Sequence, residues 1–232
     1  MTDVANEERR VPKTLVLTPA SVDEMNATRR FWQRQSARPL VTYVLLFAIV
    51  ACGLLSMLLA PDEDTLVLAL LGAKLNFFIE QGQYWRFATP LFLHGGLLHL
   101  ALNAYALYLM GRMLENVLGR AAYLSIFTIS GLASLYASYL GNETLSVGAS
   151  GAIFGLLGAG VVFGLTHREE IPRAFQRYYG VGLLPWVALN LFLGFTLPNI
   201  DNYAHLGGLG AGVVLARLFD PSPKAQPTVW RR

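Results

Sequence analysis

The stretch Ser146–Gly160, SVGASGAIFGLLGAG, decides the fold of this chain and raises the question of its function. From Ala149 onward every residue is apolar or glycine, apart from one hydroxyl side chain, that of Ser150. A hydrocarbon core about 30 Å thick needs roughly 20 mostly apolar residues per helix, so this run predicts most of a membrane helix. Ser150 is then either a small residue that lets helices pack closely or a polar group with a function inside the membrane.

The composition of the whole chain agrees with a membrane protein. Of its 232 residues, 54% are hydrophobic and 14% are charged, and the mean hydropathy is +0.44. These values are far from the averages of soluble proteins. The net charge of +3 does not indicate nucleic-acid binding, because the basic residues do not cluster on a predicted soluble surface. The single cysteine, Cys52, excludes an intrachain disulfide.

Six stretches are long and apolar enough to be membrane helices. They are Leu40–Ala60, His94–Leu114, Ala121–Leu140, Ala149–Thr166, Gly180–Pro198 and Asn202–Phe219. The segment Thr65–Ile79 is also apolar, but it has only about 15 residues and contains Lys74 and Asn76, so we expect it to lie in the membrane interface. The sequence therefore predicts an all-α membrane protein, a bundle of six transmembrane helices.

The distribution of charge supports six spans. Of the 18 Lys and Arg residues, 16 lie in the two terminal tails and around the connections after the second and fourth spans. By the positive-inside rule both termini are cytoplasmic, and a seventh span would destroy this segregation. We expect residues 1–39 to be a mostly disordered cytoplasmic tail, residues 40–219 to be the six-helix domain, and residues 220–232 to be a second cytoplasmic tail.

Polar residues that are costly in lipid lie near the beginnings of spans two, four and six. These spans all run inward, so their first turns share the outer half of the membrane; the residues are His94, His99, Asn103, Ser150 and His205. Ionisable groups at such a depth indicate a functional site that faces the bundle interior or a water-filled cavity. Taken singly, Ser150 could be a packing residue, and His205 or the pair His99 and Asn103 could join helices by hydrogen bonds. Their joint occurrence favours a site.

Glycine spacing shows how two of these residues could meet. Pairs of glycines four residues apart allow helices to approach each other backbone to backbone. Close approach of spans four and six would bring Ser150 Oγ within hydrogen-bond reach of His205, which is the geometry that activates a nucleophile. The glycine pairs are Gly151 with Gly155, Gly160 with Gly164, and Gly208 with Gly212.

These residue types suit acyl transfer. A neutral histidine can take the proton of a serine hydroxyl near physiological pH. The beginning of the helix at Ser150 favours the negative charge of an oxyanion, and Asn103 and His99 could donate hydrogen bonds to it. We expect Asp201 to cap its own helix and not to pair with His205, so the sequence predicts a Ser–His dyad.

Other chemistries fit the sequence less well. GASGA is not the G-x-S-x-G nucleophile elbow, since Ala152 takes the place of the last glycine and no strand precedes it. His94, His99 and His205 have no carboxylate on the same face to complete a zinc site, so we expect neither a metal nor another cofactor.

The constellation resembles the rhomboid intramembrane serine proteases, from about Gly72 to Gly212. GQYWRFATPLFLHGGLLHLALN is similar to the first loop and second helix of that family, with its Trp85–Arg86 pair and its H-x-x-x-x-H-x-x-x-N pattern. GASG matches the G-x-S-G motif around Ser150, and AHLGGLGAG matches the sixth helix with its histidine. Three separated motifs in the right order make the resemblance specific.

The resemblance implies a reaction and its residues. Ser150 would be the nucleophile and His205 the base, while His99, Asn103 and the backbone at Ser150 would bind the oxyanion and Gly148 would help to shape the substrate site. The implied activity is hydrolysis of peptide bonds in or beside transmembrane helices of membrane-protein substrates, through an acyl-enzyme and without a cofactor. The implied place is the bacterial inner (plasma) membrane, as a multi-pass protein whose partners are substrate helices and the lipid bilayer.

Three further expectations follow from the resemblance. His94 would support the first loop, and Thr65–Ile79 would form the half-submerged hairpin of that loop. Phe154 departs from the family, since many members have a tyrosine stacked on the histidine. Two alternatives remain open: a non-catalytic rhomboid-like protein that binds client transmembrane helices, and a small transporter, for which broken helices and internal repeats would be expected.

Overall fold

The apolar segments of the sequence form most of the helices. The computed structural model describes residues 18–197 and 200–219, and these contain ten α-helices. The helices are α1 Pro19–Gln35, α2 Leu40–Leu59, α3 Thr65–Leu71, α4 Asn76–Glu80, α5 Leu97–Leu118, α6 Arg120–Gly141, α7 Ser150–Thr166, α8 Arg173–Gln176, α9 Leu184–Thr196 and α10 Asn202–Leu218. Residues 1–17, Pro198 at the end of the predicted fifth span, and the tail 220–232 lie outside the described residues.

Several of these helices are long and apolar enough to cross a membrane. Within the described residues four segments meet this condition: Leu40–Leu59, Leu97–Leu118, Arg120–Gly141 and Arg173–Thr196. The helices α7 and α10 have 17 residues each, and α7 is a shorter apolar helix. The fold is therefore an all-α membrane bundle, as the sequence predicts, while the count of six spans stays a prediction.

Helix α7 occupies the centre of the bundle. All ten residues from Gly151 to Gly160 are buried, as expected for a helix that is apolar on every side. Helices α6 and α10 cover it: a Cβ added to Gly208 of α10 would collide with the carbonyl oxygen of Gly151, and a Cβ added to Gly212 would collide with that of Gly155. The two backbones are thus in direct contact, because no side chain stands between them.

Helix α6 contributes a stripe of serines to the same interface. Ser130, Ser134 and Ser138 are four residues apart, so they share one face of the helix, and all three are buried. Ser134 lies where a Cβ of Gly151 would be, and Ser130 lies where a Cβ of Gly155 would be. The sequence analysis identified the glycine pairs but not this third row of small residues.

The buried carboxylate of Glu115, near the end of α5, joins that helix to the beginning of α2. Glu115 Oε1 accepts a hydrogen bond from the Val41 backbone N–H at 3.0 Å, and Oε2 accepts from the Thr42 N–H at 2.8 Å and the Thr42 hydroxyl at 2.7 Å. The first N–H groups of a helix have no partner within the helix. Glu115 therefore caps α2 from a neighbouring helix and adds a favourable charge at its positive end.

The N-terminal segment differs from the expectation of a mostly disordered tail. Pro19–Gln35 form α1, and the reason is tertiary contact. The ring of Phe31 is buried against Phe175 and Tyr179, with centroids 4.9 and 6.1 Å apart. Gln35 Nε2 donates to the Tyr179 hydroxyl at 2.9 Å. A helix of this length is marginal in isolation, so these contacts stabilise it against the bundle.

The loop between α2 and α5 is folded around two buried cations. Arg86 Nη1 donates to the carbonyl oxygens of Ala69 at 2.6 Å and Ala73 at 2.8 Å, and its guanidinium lies 4.3 Å from the centroid of the Phe78 ring. Lys74, the second cation, is fully buried. The predicted interfacial segment Thr65–Ile79 corresponds to α3 and most of α4; its arrangement as a half-submerged hairpin stays a prediction.

The backbone contact between α7 and α10 gives a testable prediction. Gly208→Ala should lower the free energy of unfolding by about 1–3 kcal/mol, because the new methyl group meets a backbone carbonyl that has no room to move. Gly210→Ala on the same helix is the matched control, since no atom of the described residues lies within 4 Å of its Cβ position. Alanine has a higher helix propensity than glycine by about 1 kcal/mol, so the control should be as stable as the wild type or more so. Thermal unfolding in detergent measures both, and equal melting temperatures for the two variants would contradict the close contact.

Candidate active site

Ser150 and His205 lie against each other where α7 and α10 begin. Ser150 is the first residue of α7, and His205 lies in the first turn of α10, where its N–H donates to the Asp201 carbonyl oxygen at 3.1 Å. The distance between Ser150 Oγ and His205 Nε2 is 3.0 Å, which is hydrogen-bond distance. The sequence places these residues 55 positions apart, and the glycine contact between the two helices brings them together.

Two contacts orient the imidazole of His205. Its ring stacks on the ring of Phe154, with centroids 4.2 Å apart and an angle of 12° between the planes. Nε2 faces the Ser150 hydroxyl, while Nδ1 is buried and has no hydrogen-bond partner among the described residues. Phenylalanine thus keeps the stacked ring that the resemblance leads one to expect at position 154, without the tyrosine hydroxyl. Within the part of the chain that the structure describes, no carboxylate contacts Nδ1.

Gly148 connects this pair to α5. Its φ of +114° lies in the region that favours glycine, and its N–H donates to the Pro90 carbonyl oxygen at 2.8 Å. A Cβ added to Gly148 would lie 2.7 Å from His99 Nε2 and 3.5 Å from Asn103 Nδ2. The side chains of His99 and Asn103 therefore flank the turn that leads into Ser150.

The two residues on α5 differ in their surroundings. Asn103 is buried, and its Nδ2 donates to the backbone carbonyl of His99 at 3.1 Å. His99 is half-buried. All five sequence-predicted site residues thus lie around the beginnings of α5, α7 and α10. A helix N-terminus presents backbone N–H groups and the positive end of its dipole, so an oxyanion formed at Ser150 would be favoured there.

His94 lies just before α5 and packs against His99. It is buried, and its ring centroid lies 5.2 Å from that of His99. Its backbone N–H donates to Ser56 Oγ at 3.3 Å, which fixes the end of the first loop to α2. Among the described residues no group of three His, Cys, Asp or Glu side chains lies close enough to hold a metal ion.

The sequence analysis missed the polar residues that hold the surrounding loops. It treated Lys74 only as evidence against a seventh span, and it gave Asn142 no role. The prediction that Asp201 caps its helix is confirmed, since its side chain accepts from the Ala204 N–H at 3.0 Å. Asp201 also accepts from Asn142 Nδ2 at 3.0 Å and from the Ser138 hydroxyl. No sequence spacing signals these contacts, because they join different loops.

An all-helical membrane bundle with a serine and a histidine in contact inside it defines the class of this protein. Comparison with known sequences agrees. The family model described as the Rhomboid domain matches residues 81–221, which is more than half of the chain. The chain belongs to the rhomboid family.

Several curated relatives are similar to this chain. "Rhomboid protease GluP" of Bacillus subtilis is 36% identical over 182 residues, which cover 78% of this chain and 35% of that protein. "RHOMBOID-like protein 5" of Arabidopsis thaliana is 39% identical over 163 residues, with 69% of this chain and 51% of that protein covered. "Rhomboid-like protease 3" of Toxoplasma gondii is 31% identical over 201 residues, 86% of this chain and 74% of that protein. The chain thus spans about a third of the length of the first of these relatives and about half of the length of the second.

The geometry at Gly148 gives a prediction with a matched control. Gly82 also has a positive φ, +88°, but no atom from residues 18–197 or 200–219 lies within 4 Å of its Cβ position. Gly82→Ala should therefore carry only the backbone cost, about 1–2 kcal/mol. Gly148→Ala should carry that cost and about 1–3 kcal/mol more, because its methyl group would displace the His99 ring. Thermal unfolding of the two variants measures the difference, and a smaller effect at Gly148 than at Gly82 would contradict the contact with His99.

Proposed function

We propose that this chain is an intramembrane serine endopeptidase that hydrolyses peptide bonds in or next to transmembrane helices of membrane-protein substrates. The observation that carries the proposal is the 3.0 Å contact between Ser150 Oγ and His205 Nε2. A serine hydroxyl is a weak nucleophile until an adjacent base takes its proton, and this contact provides that base. Relatives named as proteases support the same activity.

The proposed reaction proceeds through an acyl-enzyme. Ser150 Oγ attacks the carbonyl carbon of the scissile bond as its proton passes to His205 Nε2. The protonated imidazole then gives this proton to the leaving amine, and the C–N bond breaks. In the second step a water molecule gives a proton to His205 and attacks the ester carbon. The bond between that carbon and Ser150 Oγ then breaks, His205 returns the proton to Oγ, and the new carboxyl end of the substrate is released.

The oxyanion of each tetrahedral intermediate would form beside Gly148. The backbone at Ser150 would donate to it from the first turn of α7, and His99 and Asn103 would donate from α5. These two side chains lie next to the Gly148 turn, which supports this assignment. The same turn would shape the site that holds the substrate chain.

The proposed topology has six spans with both termini in the cytoplasm of a bacterial cell and the site open to the opposite face. Ser150 begins a helix of 17 residues, which at 1.5 Å per residue is about 26 Å long and shorter than the roughly 30 Å hydrocarbon core. Ser150 would thus lie below the outer surface, at a depth that water can reach through a cavity. The segment Thr65–Ile79 would lie half-submerged in the outer interface beside it. The partners would be substrate helices, which must unwind locally at the cut.

The first test is cleavage of a model single-pass substrate by the purified full chain in liposomes. Ser150→Ala and His205→Ala should each lower the rate by roughly a thousandfold or more, because neither half of the pair works alone. His167→Ala is the matched control: His167 stacks on Phe163, with ring centroids 4.7 Å apart, and follows the last residue of the same helix, so its loss should leave cleavage in place. Cleavage that persists in the Ser150→Ala or His205→Ala variant would end the dyad proposal.

A second test separates the protease from a non-catalytic rhomboid that binds client helices. A fluorophosphonate reacts with a serine whose hydroxyl is activated by a base, and it should label the wild-type chain at Ser150. Labelling should disappear in Ser150→Ala and fall sharply in His205→Ala. A folded wild-type chain that takes no label would favour the non-catalytic alternative.

A further inference from the structure

We propose that Lys74 is a positioning residue for Ser150 and His205, which acts through Asn142 and Asp201. The inference rests on the proposed function, since it assigns a role in the same reaction. This role does not require a contact between the substrate and Lys74, Asn142 or Asp201. Their contacts join the first loop, the segment that leads into Ser150, and the beginning of the helix that carries His205.

The first link runs from the first loop to residues 142–149, which precede Ser150. Lys74 Nζ donates to the carbonyl oxygen of Asn142 at 2.6 Å, to Asn142 Oδ1 at 3.3 Å and to the carbonyl oxygen of Thr144 at 3.2 Å. The backbones of Lys74 and Ser146 also exchange hydrogen bonds, at 3.0 and 3.1 Å. One residue of the first loop thus fixes the segment before Ser150 at three points along its length.

The second link runs from Asn142 to α10. Asn142 Nδ2 donates to Asp201 Oδ1 at 3.0 Å, and the same carboxylate caps α10 through the Ala204 N–H. His205 follows one turn later, with its N–H on the Asp201 carbonyl oxygen. A shift of Asn142 along the membrane normal would therefore pull on the beginning of α10.

The two links fix the position of α7 along α10, which the contact between the two helices alone leaves free. The glycine contact sets how closely α7 and α10 approach, but two smooth glycine faces can slide along each other. A hydrogen bond of 3.0 Å between Ser150 Oγ and His205 Nε2 tolerates only a small slide, and a misplacement of about 1 Å can cost a hundredfold in rate. The chain Lys74–Asn142–Asp201 ties both beginnings to one point in the first loop and opposes such a slide.

The cost of burying Lys74 supports a role beyond stability. The side chain is fully buried, and burial lowers the pKa of its amine to about 8, although Asp201 and Glu143 oppose this by attraction. The lowered pKa means that the charged form loses more by leaving water than it gains from these two carboxylates. An apolar residue of similar length would avoid that loss, yet it could not bind the carbonyl oxygens of Asn142 and Thr144.

The experiment is a double-mutant cycle with Lys74→Met and Asp201→Asn. Methionine keeps the length of the side chain and removes its three donors. Asparagine caps a helix as well as aspartate does, so Asp201→Asn keeps the cap and removes only the negative charge that strengthens the hydrogen bond from Asn142 Nδ2. Asn76→Ala is the matched control: Asn76 Nδ2 binds the Tyr139 carbonyl oxygen at 2.9 Å, which joins the same loop to α6 without touching residues 142–149.

Two readouts are taken on the folded fraction of each variant: the rate at which a fluorophosphonate labels Ser150, and kcat and KM for cleavage of the model substrate. Lys74→Met should slow labelling and lower kcat by roughly tenfold to a hundredfold, with little change in KM, because the pair is misplaced and the substrate site is kept. Asn76→Ala should change neither rate beyond about twofold, because the hydrogen bond that it removes joins the first loop to Tyr139 of α6 and not to residues 142–149. The double variant should lose less than the product of the two single losses, as residues in one network do.

Each outcome decides a separate question. Equal slowing by Lys74→Met and Asn76→Ala, or losses that simply multiply in the double variant, would overturn the positioning role even where cleavage is established. Labelling of the wild type without cleavage would count against the protease, while the labelling rates would still decide the role of Lys74. A wild type that is neither labelled nor active would overturn both proposals.

Discussion

The backbone contact between α7 and α10 is the constraint on which the rest of the structure depends. Ordinary helix pairs lie about 8–10 Å apart, a distance at which larger side chains fill the interface. Here Gly208 and Gly212 press against the carbonyl oxygens of Gly151 and Gly155, so no side chain separates the two backbones at these contacts. At this separation Ser150 Oγ lies within hydrogen-bond distance of His205 Nε2 on the neighbouring helix.

The membrane explains why small residues provide this contact. Lipid tails are as apolar as leucine, so helices in a bilayer gain little by burying large apolar side chains against each other. They gain by close van der Waals packing, which small residues allow. The serine stripe of α6 has the same property, and Ser138 at its end adds a hydroxyl that donates to Asp201. The interface that packs the core thus continues directly into the polar contacts around the site.

The sequence predicts the centre of this structure well, because the relevant signals are local. Glycines four residues apart lie on one helix face whatever the rest of the chain does, and Ser150 and His205 stand at the beginnings of the two glycine-bearing segments. The helix bounds follow from the lengths of the apolar stretches: the predicted span Ala149–Thr166 differs by one residue from α7. The predicted beginning of the second span is less accurate, since α5 starts at Leu97 and His94 belongs to the preceding loop.

The remainder depends on contacts between distant segments, which no local pattern reveals. Lys74 and Asn142 are 68 residues apart, and neither has a neighbour in sequence that would indicate a partner. Helix α1 has the same origin: Phe31 and Trp32 are two aromatic residues in a charged segment, and only the folded structure shows that Phe175 and Tyr179 cover Phe31. Membrane composition predicts where helices lie, but the loops between them are ordered by such pairings.

The way in which His205 is held fits a dyad better than a triad. In a triad a carboxylate binds Nδ1 and orients the ring. The nearest candidate in the sequence is Asp201, whose carboxylate oxygens accept hydrogen bonds from the Ala204 N–H, Asn142 and Ser138. Nδ1 of His205 has no hydrogen-bond partner among the described residues. Stacking on Phe154 restricts the plane of the imidazole instead. A phenyl ring is sufficient for that purpose, so the absence of a tyrosine hydroxyl at this position removes nothing that the proposed mechanism requires. The Asp201 carboxylate instead caps the backbone of α10 through the Ala204 N–H, and in the proposed positioning role it would set the height at which His205 meets Ser150.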